Sequence, residues 1–246
     1  MLKFLGSLLV MLALASSAAA NPYSYPYGGF SQFGDSGSMK PFTRDLGGVL
    51  GAATFHSGRS LGLTGWDVGP QGGMQFYPEK NDRILRNNGV KLFGIPWAQG
   101  EIGLPYDIDA FVRGISYQGL TIAGGGVRWG PLKPDDKPWA PHLLLSGVAH
   151  AVVAQDFSAD HFGFNVVGSM GVPKFTPYMG VGVDLTHLTV RNDLLDASQV
   201  GRQITTAEPR YTAGIQMKPW QFFYIHAAYF FTHGQGGSEA GLGLHF

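Results

Sequence analysis

The chain has 246 residues, with 17 basic and 17 acidic side chains and a formal net charge of zero when histidine is neutral. This balance provides no basic patch of the kind that nucleic-acid binding requires, so nucleic acid is not expected as a partner. Cysteine is absent, glycine contributes 37 residues, aromatic side chains make up 13 % and charged ones only 14 %, against about 25 % charged in ordinary globular domains. This composition favours a β-protein without disulfides whose outer surface does not meet water.

Residues 1–20 predict a cleavable signal peptide. Lys3 precedes a mostly apolar run from Phe4 to Ala15, and three alanines at 18–20 supply the small residues of a cleavage site. The run is shorter than the roughly 20 residues of a membrane-spanning helix. The chain is therefore expected to be exported, with the mature protein beginning near Asn21.

Residues 21–56 are expected to form a flexible N-terminal segment in the periplasm. Residues 21–40 are rich in Pro, Gly, Ser and aromatics, which is typical of a segment without a fold of its own. Thr43 could cap a short helix with one apolar face, formed by Leu46, Val49, Leu50 and Ala53. Three glycines weaken this helix, and a strand is the alternative. A helix in 41–56 would be able to plug the periplasmic mouth of a barrel.

Residues 57–246 show the alternation of a strand that has two different faces. Between Tyr178 and Leu185, for example, every second residue is apolar and the others are glycine, aspartate or tyrosine. Ten such segments can be drawn, at about 61–76, 91–104, 107–117, 120–130, 141–154, 160–172, 176–190, 208–217, 221–232 and 237–246. Each is long enough for the roughly 9–11 residues that a tilted strand needs to cross a bilayer.

The connections between these segments fall into two alternating classes. One class pairs a proline with an aromatic residue, at Leu104–Tyr106, Asp136–Trp139, Lys174–Tyr178 and Lys218–Trp220. The other includes the longer, more charged stretches 77–90 and 191–207 and the Gly-rich 233–237. Outer-membrane barrels have short periplasmic turns, longer extracellular loops and aromatic girdles at both interfaces. The proline–aromatic turns are therefore predicted to mark the periplasmic rim.

The last segment ends on Phe246 in mid-alternation. A closed barrel leaves no unpaired strand edge in hydrocarbon, so the last strand should pair with the first. This ending resembles the C-terminal signal of bacterial outer-membrane proteins, which implies the barrel-assembly machinery as a partner. The predicted fold is an all-β, transmembrane, antiparallel up-and-down β-barrel over 57–246, porin-like, in the outer membrane of a Gram-negative bacterium. About ten strands are expected, with eight or twelve as alternatives, and a soluble periplasmic β-sandwich is the rival fold.

Four stretches carry a more particular resemblance. They are Leu61–Gly69, Gly103–Tyr106, Gly124–Val127 and Thr176–Gly182. Together they resemble an uncharacterised bacterial outer-membrane β-barrel protein family over roughly residues 43–246. The resemblance implies the fold and the location, and it brings no catalytic residues.

The inward faces of the predicted strands carry charged side chains. These lumen-lining candidates are Asp67, Glu101, Asp109, Arg113, Arg128, Asp184, Arg210 and Glu239, with His142 and His150 as further candidates. A lipid-facing Arg or Lys costs about 2–4 kcal/mol at the bilayer midplane, so the charges belong inside. They predict either a structural ion-pair network that fills a narrow lumen or a polar path for a small solute or ion.

Two other functions are weaker alternatives. A barrel scaffold whose extracellular loops bind a partner is suggested by charged loop residues, namely Glu79, Lys80, Asp82, Arg83, Arg86, Arg191, Asn192, Asp193, Asp196 and Arg202. An outer-membrane hydrolase would draw on Ser146, Ser169, His150, His161 and Glu239, but Gly-x-Ser-x-Gly and His-Glu-x-x-His are absent from the sequence. The sequence therefore predicts no enzyme, no cofactor and no metal site, with outer-membrane lipid and a small solute as partners.

Overall fold

The chain folds into a closed antiparallel barrel. The computed structural model describes residues 25–132, 137, 139–172, 174–192 and 197–246, so the predicted signal peptide lies outside the described residues. In this part of the chain ten strands pair with their neighbours in sequence, and the first pairs with the last. They are β1 (Trp66–Gln75), β2 (Phe93–Leu104), β3 (Ile108–Tyr117), β4 (Leu120–Trp129), β5 (Pro141–Val153), β6 (Phe157–Met170), β7 (Phe175–Val190), β8 (Gln203–Trp220), β9 (Phe223–Thr232) and β10 (Gln235–His245). The predicted ten-stranded up-and-down barrel is confirmed.

The outer surface of the barrel is apolar and the inner surface is polar. On β7, Met179 and Val181 are 69 % and 53 % exposed, while Asp184 on the opposite face is buried. A β-sandwich would bury the apolar faces against each other, whereas here they form the exposed belt that lipid would cover. The rival fold is therefore wrong, and the chain is a transmembrane barrel of the outer-membrane class.

The two ends of the barrel differ. At one end, called the turn end, lie 105–107, the described residues between β4 and β5 and between β6 and β7, 221–222, the start of β1 and the end of β10. At the other, called the loop end, lie 76–92, 118–119, 154–156, 191–202 and 233–234. The loop between β7 and β8 (191–202) is shorter than the predicted 191–207. The reason is that β8 begins at Gln203, which pairs with Thr189 near the end of β7.

Exposed aromatic side chains mark the turn end, as the proline–aromatic turns predicted. They are Trp66, Tyr106, Trp129, Trp139, Phe175, Trp220, Phe222 and Phe246. Tyr178 is the exception: it lies within β7, points inward and is buried. Phe76, Tyr77 and Tyr117 are exposed at the loop end. Such girdles sit at the level of the lipid headgroups.

The barrel is closed by the strand that ends the chain. β1 and β10 pair from Asp67↔His245 to Gln75↔Gly237, and Trp66 and Phe246 exchange two backbone hydrogen bonds of 2.9 Å. The rings of these two residues also stack, with centroids 4.3 Å apart. The predicted pairing of the last strand with the first is therefore confirmed.

The N-terminal segment is not a flexible lead-in in the part that the structure describes. It contains α1 (Phe30–Phe33) and α2 (Met39–Leu50), and a third short helix, α3 (Arg83–Asn87), lies in the first long loop. Nearly all of α2 is buried, and it contacts β1, β2, β7 and β8. The helix lies inside the barrel because its apolar side chains find partners there. It begins at Met39 rather than at Thr43, and the strand alternative for this stretch is wrong.

The segment enters the barrel from the loop end. Tyr27 packs against Phe93 and Phe157, which begin β2 and β6 at that end, with ring centroids 6.1 and 5.7 Å away. At the other end of the segment, the Leu61 amide donates to Asp109 on β3, beside the turn end. The chain thus passes through the lumen before β1 starts. The prediction of a flexible segment outside the barrel is therefore wrong for residues 25–56, and the helix predicted as a plug within 41–56 lies inside the lumen. Within the described residues, no helix is long and apolar enough to span a membrane.

Candidate functional site

All eight predicted lumen-lining side chains lie in the barrel interior. Asp67, Glu101, Asp109, Arg113, Arg128, Asp184, Arg210 and Glu239 are each at most 5 % exposed, and His142 and His150 are also buried. The charges do not form a single ion-pair network. Two of the arginines pair with a carboxylate, and the remaining groups bind mostly the backbone of the N-terminal segment or uncharged side chains.

Nearer the turn end, Arg128 and Glu101 form a two-pronged ion pair. The guanidinium donates from Nη1 to Oε2 at 2.6 Å and from Nη2 to Oε1 at 3.0 Å. Gln99 donates to the same carboxylate at 2.6 Å, and the guanidinium lies over the Phe111 ring at 4.5 Å. Paired, hydrogen-bonded charges are the form in which ions are tolerated in a buried site.

The second ion pair lies deeper and extends into a chain of polar side chains. Arg210 Nε donates to Asp184 Oδ2 at 2.7 Å, and His161 Nε2 lies 3.3 Å from the other oxygen of Asp184. His161 contacts His150 through their Nδ1 atoms at 3.0 Å, and His150 Nε2 accepts from Arg113 Nε. This chain connects β3, β5, β6, β7 and β8 across the lumen.

Three arginines of the wall hold the end of α2 and the residues that follow it. Arg113 donates to the carbonyls of Leu50 and Ala52 at 2.7 and 2.9 Å, and Arg210 donates to the Gly48 carbonyl. Arg128 Nε donates to the Thr54 carbonyl at 2.8 Å. The last carbonyls of a helix lack intrahelical partners and carry its negative dipole end, so guanidinium groups stabilise this position.

The same segment also donates a hydrogen bond to a carboxylate of the barrel wall. Glu239 Oε2 accepts from the Ala53 amide at 2.7 Å. Residues 48–54 are therefore bound on both donor and acceptor sides, in the manner of a peptide in a binding site. This arrangement could not be predicted from the sequence, because alternation identifies which strand residues face inward but does not indicate what they contact. The glycines around position 47 were the available signal, since they permit close packing.

Close approach between the segment and the wall depends on two glycines in particular. A β-carbon at Gly47 would overlap Thr186 Oγ1 on β7 and lie 3.3 Å from its Cβ. A β-carbon at Gly180, also on β7, would lie 2.6 Å from the Phe55 ring. Gly180 thus makes room for Phe55, which packs with Leu144, Val167, Tyr178 and Ala228.

The lumen opens at the turn end into a cavity of about 430 Å³. Four basic side chains line it, namely Arg59, Lys137, Lys174 and Lys218, together with His56, His142 and His245. Among the described residues, Asp67 is the one carboxylate that lines the cavity. Basic side chains thus outnumber carboxylates among the described lining residues, and such a lining suits an anion.

At the loop end, charges of the first long loop bind the N-terminal segment. Asp45 of α2 accepts from Gln75 and from the Glu79 amide at 2.6 and 2.7 Å, and its Oδ1 lies 2.9 Å from His233 Nε2. Asp193 and Asp196, in the loop between β7 and β8, lie outside the described residues. Of the predicted loop charges, Arg83 pairs with Asp35 and Glu79 with Arg44, both in the N-terminal segment.

Asp82 is expected to make the first long loop sensitive to alkaline pH. It is fully buried, caps α3 by accepting from the Leu85 amide at 3.0 Å, and is near Asp45. Burial, and then the Asp45 carboxylate, raises the pKa of Asp82 from 3.8 to about 9. The folded loop thus holds a proton that the unfolded loop releases above its ordinary pKa. The stabilisation declines as pH rises through this window and is lost above about pH 9, at a slope of about 1.4 kcal/mol per pH unit.

We expect amide exchange of residues 83–90, corrected for the intrinsic rate, to accelerate by about tenfold between pH 8 and pH 10. Asp82→Asn retains an oxygen for the cap and does not titrate, so its corrected exchange should stay flat over the same range. An equal acceleration in this variant would show that Asp82 is not the titrating group.

The residues considered for catalysis are not assembled into a hydrolytic site in the described structure. His150 and His161 contact each other, Arg113 and Asp184, while Ser169 Oγ accepts from the Gly58 amide at 3.0 Å. No base–serine pair is seen among these side chains. Groups of three or more potential metal ligands are also not found in the described residues.

The fold and the lumen define an outer-membrane β-barrel with an internal segment. No protein-family model matches the chain, and no curated protein sequence matches it. Among solved structures, the N-terminal barrel domain of Pseudomonas aeruginosa OprF is 14 % identical, with a TM-score of 0.39 over 75 % of this chain and 99 % of that one.

Two further structures resemble it in the same way. Ail, the attachment invasion locus protein of Yersinia pestis, in complex with the heparin analogue sucrose octasulfate, is 14 % identical, with a TM-score of 0.34 over 74 % and 97 % of the two chains. Neisserial surface protein A is 10 % identical, with a TM-score of 0.32 over 74 % and 95 %. Similarity this low gives no basis for transferring a function.

Proposed function

We propose that this chain is a structural outer-membrane barrel whose lumen is closed by its own N-terminal segment, and that solutes pass only when this segment leaves the wall. The observation that carries the proposal is the binding of residues 48–54 by Arg113, Arg128, Arg210 and Glu239. Side chains that would line an open path are occupied by backbone groups of the same chain. The role is non-catalytic, and outer-membrane lipid surrounds the exposed apolar belt.

Side-chain packing supports closure of the lumen near the loop end as well. Phe42 and Leu46 of α2 are fully buried in the cluster that also contains Phe93 and Phe157 of the wall. A barrel of about eight strands is just filled by its own side chains. A helix in a ten-stranded barrel is therefore expected to leave no continuous aqueous bore.

A narrow passive channel is the second candidate function, and the basic cavity at the turn end favours it. This cavity leads from the mouth to His56 and Asp67, so a small ion would penetrate part of the lumen without any movement of the N-terminal segment.

We further propose that the barrel-assembly machinery recognises the strand ending at Phe246, as the sequence predicts.

Single-channel recording in planar bilayers tests closure. Arg113→Gln removes three hydrogen bonds to carbonyls of the segment without leaving a paired carboxylate stranded, since the other hydrogen-bond partner of Arg113 is His150. We expect the mature wild-type chain to remain closed and Arg113→Gln to show discrete openings. Arg191→Gln, an equivalent change at an exposed loop position, should behave as the wild type.

A reversible lock identifies the source of the openings. In Gly47→Cys/Thr186→Cys the two β-carbons would lie about 3.3 Å apart, near the 3.5–4.5 Å of a disulfide, and the native chain has no cysteine to interfere. Combined with Arg113→Gln, the oxidised pair should abolish openings and reduction should restore them. Steady wild-type conductance that the lock does not change would contradict closure and support the passive channel.

A further inference from the structure

We propose that the turn-end cavity is a binding site for phosphate-type anions, that is, a phosphate ester or diphosphate group. This inference does not depend on whether the lumen opens. The cavity volume of about 430 Å³ falls within the roughly 300–1,000 Å³ of small-molecule sites. Because the chain as a whole carries 17 basic and 17 acidic residues, the excess of positive charge here is local.

The basic side chains are held near one another. The Lys218 amide donates to the Lys174 carbonyl at 2.8 Å, so these two lysines leave neighbouring strand ends side by side. Both line the cavity, as does Arg59. Like charges so arranged repel each other, and an anion bound between them would relieve that repulsion. Arg also offers the planar fork of donors that suits phosphate oxygens.

Three carboxylates of the described strands lie at or behind this cavity, and each accepts a hydrogen bond from the protein. Asp67 Oδ1 accepts from the Tyr224 hydroxyl at 3.1 Å, although its Oδ2 has no hydrogen-bond partner among the described residues. Behind it, Glu101 is held by Arg128, and Asp109 accepts from the Leu61 amide at 2.9 Å. Among the described lining residues, Asp67 is thus the one carboxylate that faces Lys174 and Lys218.

A buried donor provides an independent indication of a ligand. His56 lines the cavity, is only 6 % exposed, and its ring stacks on Tyr224 with centroids 4.5 Å apart. The Gln216 amide group donates to its Nδ1 at 2.8 Å, which leaves the proton of the neutral ring on Nε2. Nε2 has no hydrogen-bond partner in the described structure and lies 3.6 Å from Glu101 Oε2. An anion in the cavity would supply the missing acceptor.

Several sources share this chemistry. A phosphorylated solute of the periplasm would reach the cavity from water, and the phosphate of a membrane lipid headgroup would reach it from the rim. The exposed rings of Trp220 and Phe175 place the cavity at the level where headgroups lie. The experiment therefore needs one arm for each source.

Titration calorimetry with inorganic pyrophosphate tests the site on the full mature chain, refolded in zwitterionic micelles. We expect saturable binding at one site that weakens with added salt. Lys174→Gln/Lys218→Gln should bind at least about tenfold more weakly, which corresponds to about 1.4 kcal/mol. Lys91→Gln, an exposed lysine at the loop end, should bind as the wild type, and unheated gel migration should show that each variant is folded.

The second arm adds phosphatidylglycerol to the micelles. Competition with pyrophosphate that disappears in Lys174→Gln/Lys218→Gln would assign the site to a lipid headgroup, and its absence would assign it to a soluble phosphate compound. Both results support a phosphate site. The proposal is overturned if pyrophosphate does not bind, if the double variant of folded protein binds it as tightly as the wild type, or if citrate binds equally well.

Discussion

Replacing Arg210 with glutamine is expected to lower the free energy of unfolding by about 3–5 kcal/mol, the usual result of removing one partner of a buried ion pair. Arg210 is 1 % exposed, donates to Asp184 at 2.7 Å and lies 4.8 Å above the Phe230 ring. Its loss leaves the Asp184 carboxylate buried with His161 as its remaining close ionisable partner. Denaturant unfolding of the protein refolded in micelles, followed by tryptophan fluorescence, would measure the change.

The matched control removes the stranded charge. In Arg210→Gln/Asp184→Asn the buried carboxylate is gone, and most of the lost stability should return because a neutral pair is cheaper to bury than one unpaired ion. Arg191→Gln, at an exposed site, should change stability by less than about 0.5 kcal/mol. If the double variant were no more stable than the single one, the ion pair would not be the cause.

Shortening Phe42 to alanine is expected to weaken the docking of the N-terminal segment by about 3–5 kcal/mol. Phe42 is fully buried, and its ring lies 5.6 Å from Phe30 and 5.1 Å from Phe157. It therefore joins α1 and α2 to the start of β6. Because the barrel hydrogen bonds are untouched, we expect the segment to loosen before the barrel unfolds.

Limited proteolysis separates these two events. Trypsin should cleave Phe42→Ala after Arg44 under conditions in which the wild type resists, while the barrel keeps its unheated migration on gels. Phe222→Ala removes the same atoms from a ring that is 53 % exposed at the turn end, and it should stay resistant. A variant at 42 that is cleaved no faster than the wild type would show that the segment is not held by this ring.

Much of the barrel could be predicted because strand patterning is local. Side chains alternate across a strand with period two, so the exposed Met179 and Val181 and the buried Asp184 and Arg210 are separated by sequence position alone. The ten predicted segments overlap the ten strands. The predicted and observed boundaries differ most at β8, which was predicted over 208–217 and extends from Gln203 to Trp220. It begins earlier than predicted because β7 provides a pairing partner up to Thr189.

The sequence by itself thus determined a membrane barrel of about ten strands and the inward position of its charges. Only the tertiary structure decided what those charges bind. The carbonyls of Leu50 and Thr54 look alike in any sequence, and they become ligands of Arg113 and Arg128 because threading through the lumen brings them there. Composition around residues 21–40 indicated disorder, since local sequence contains no partner for Tyr27 or Phe30. Phe93 and Phe157, far along the chain, supply partners that only barrel closure assembles.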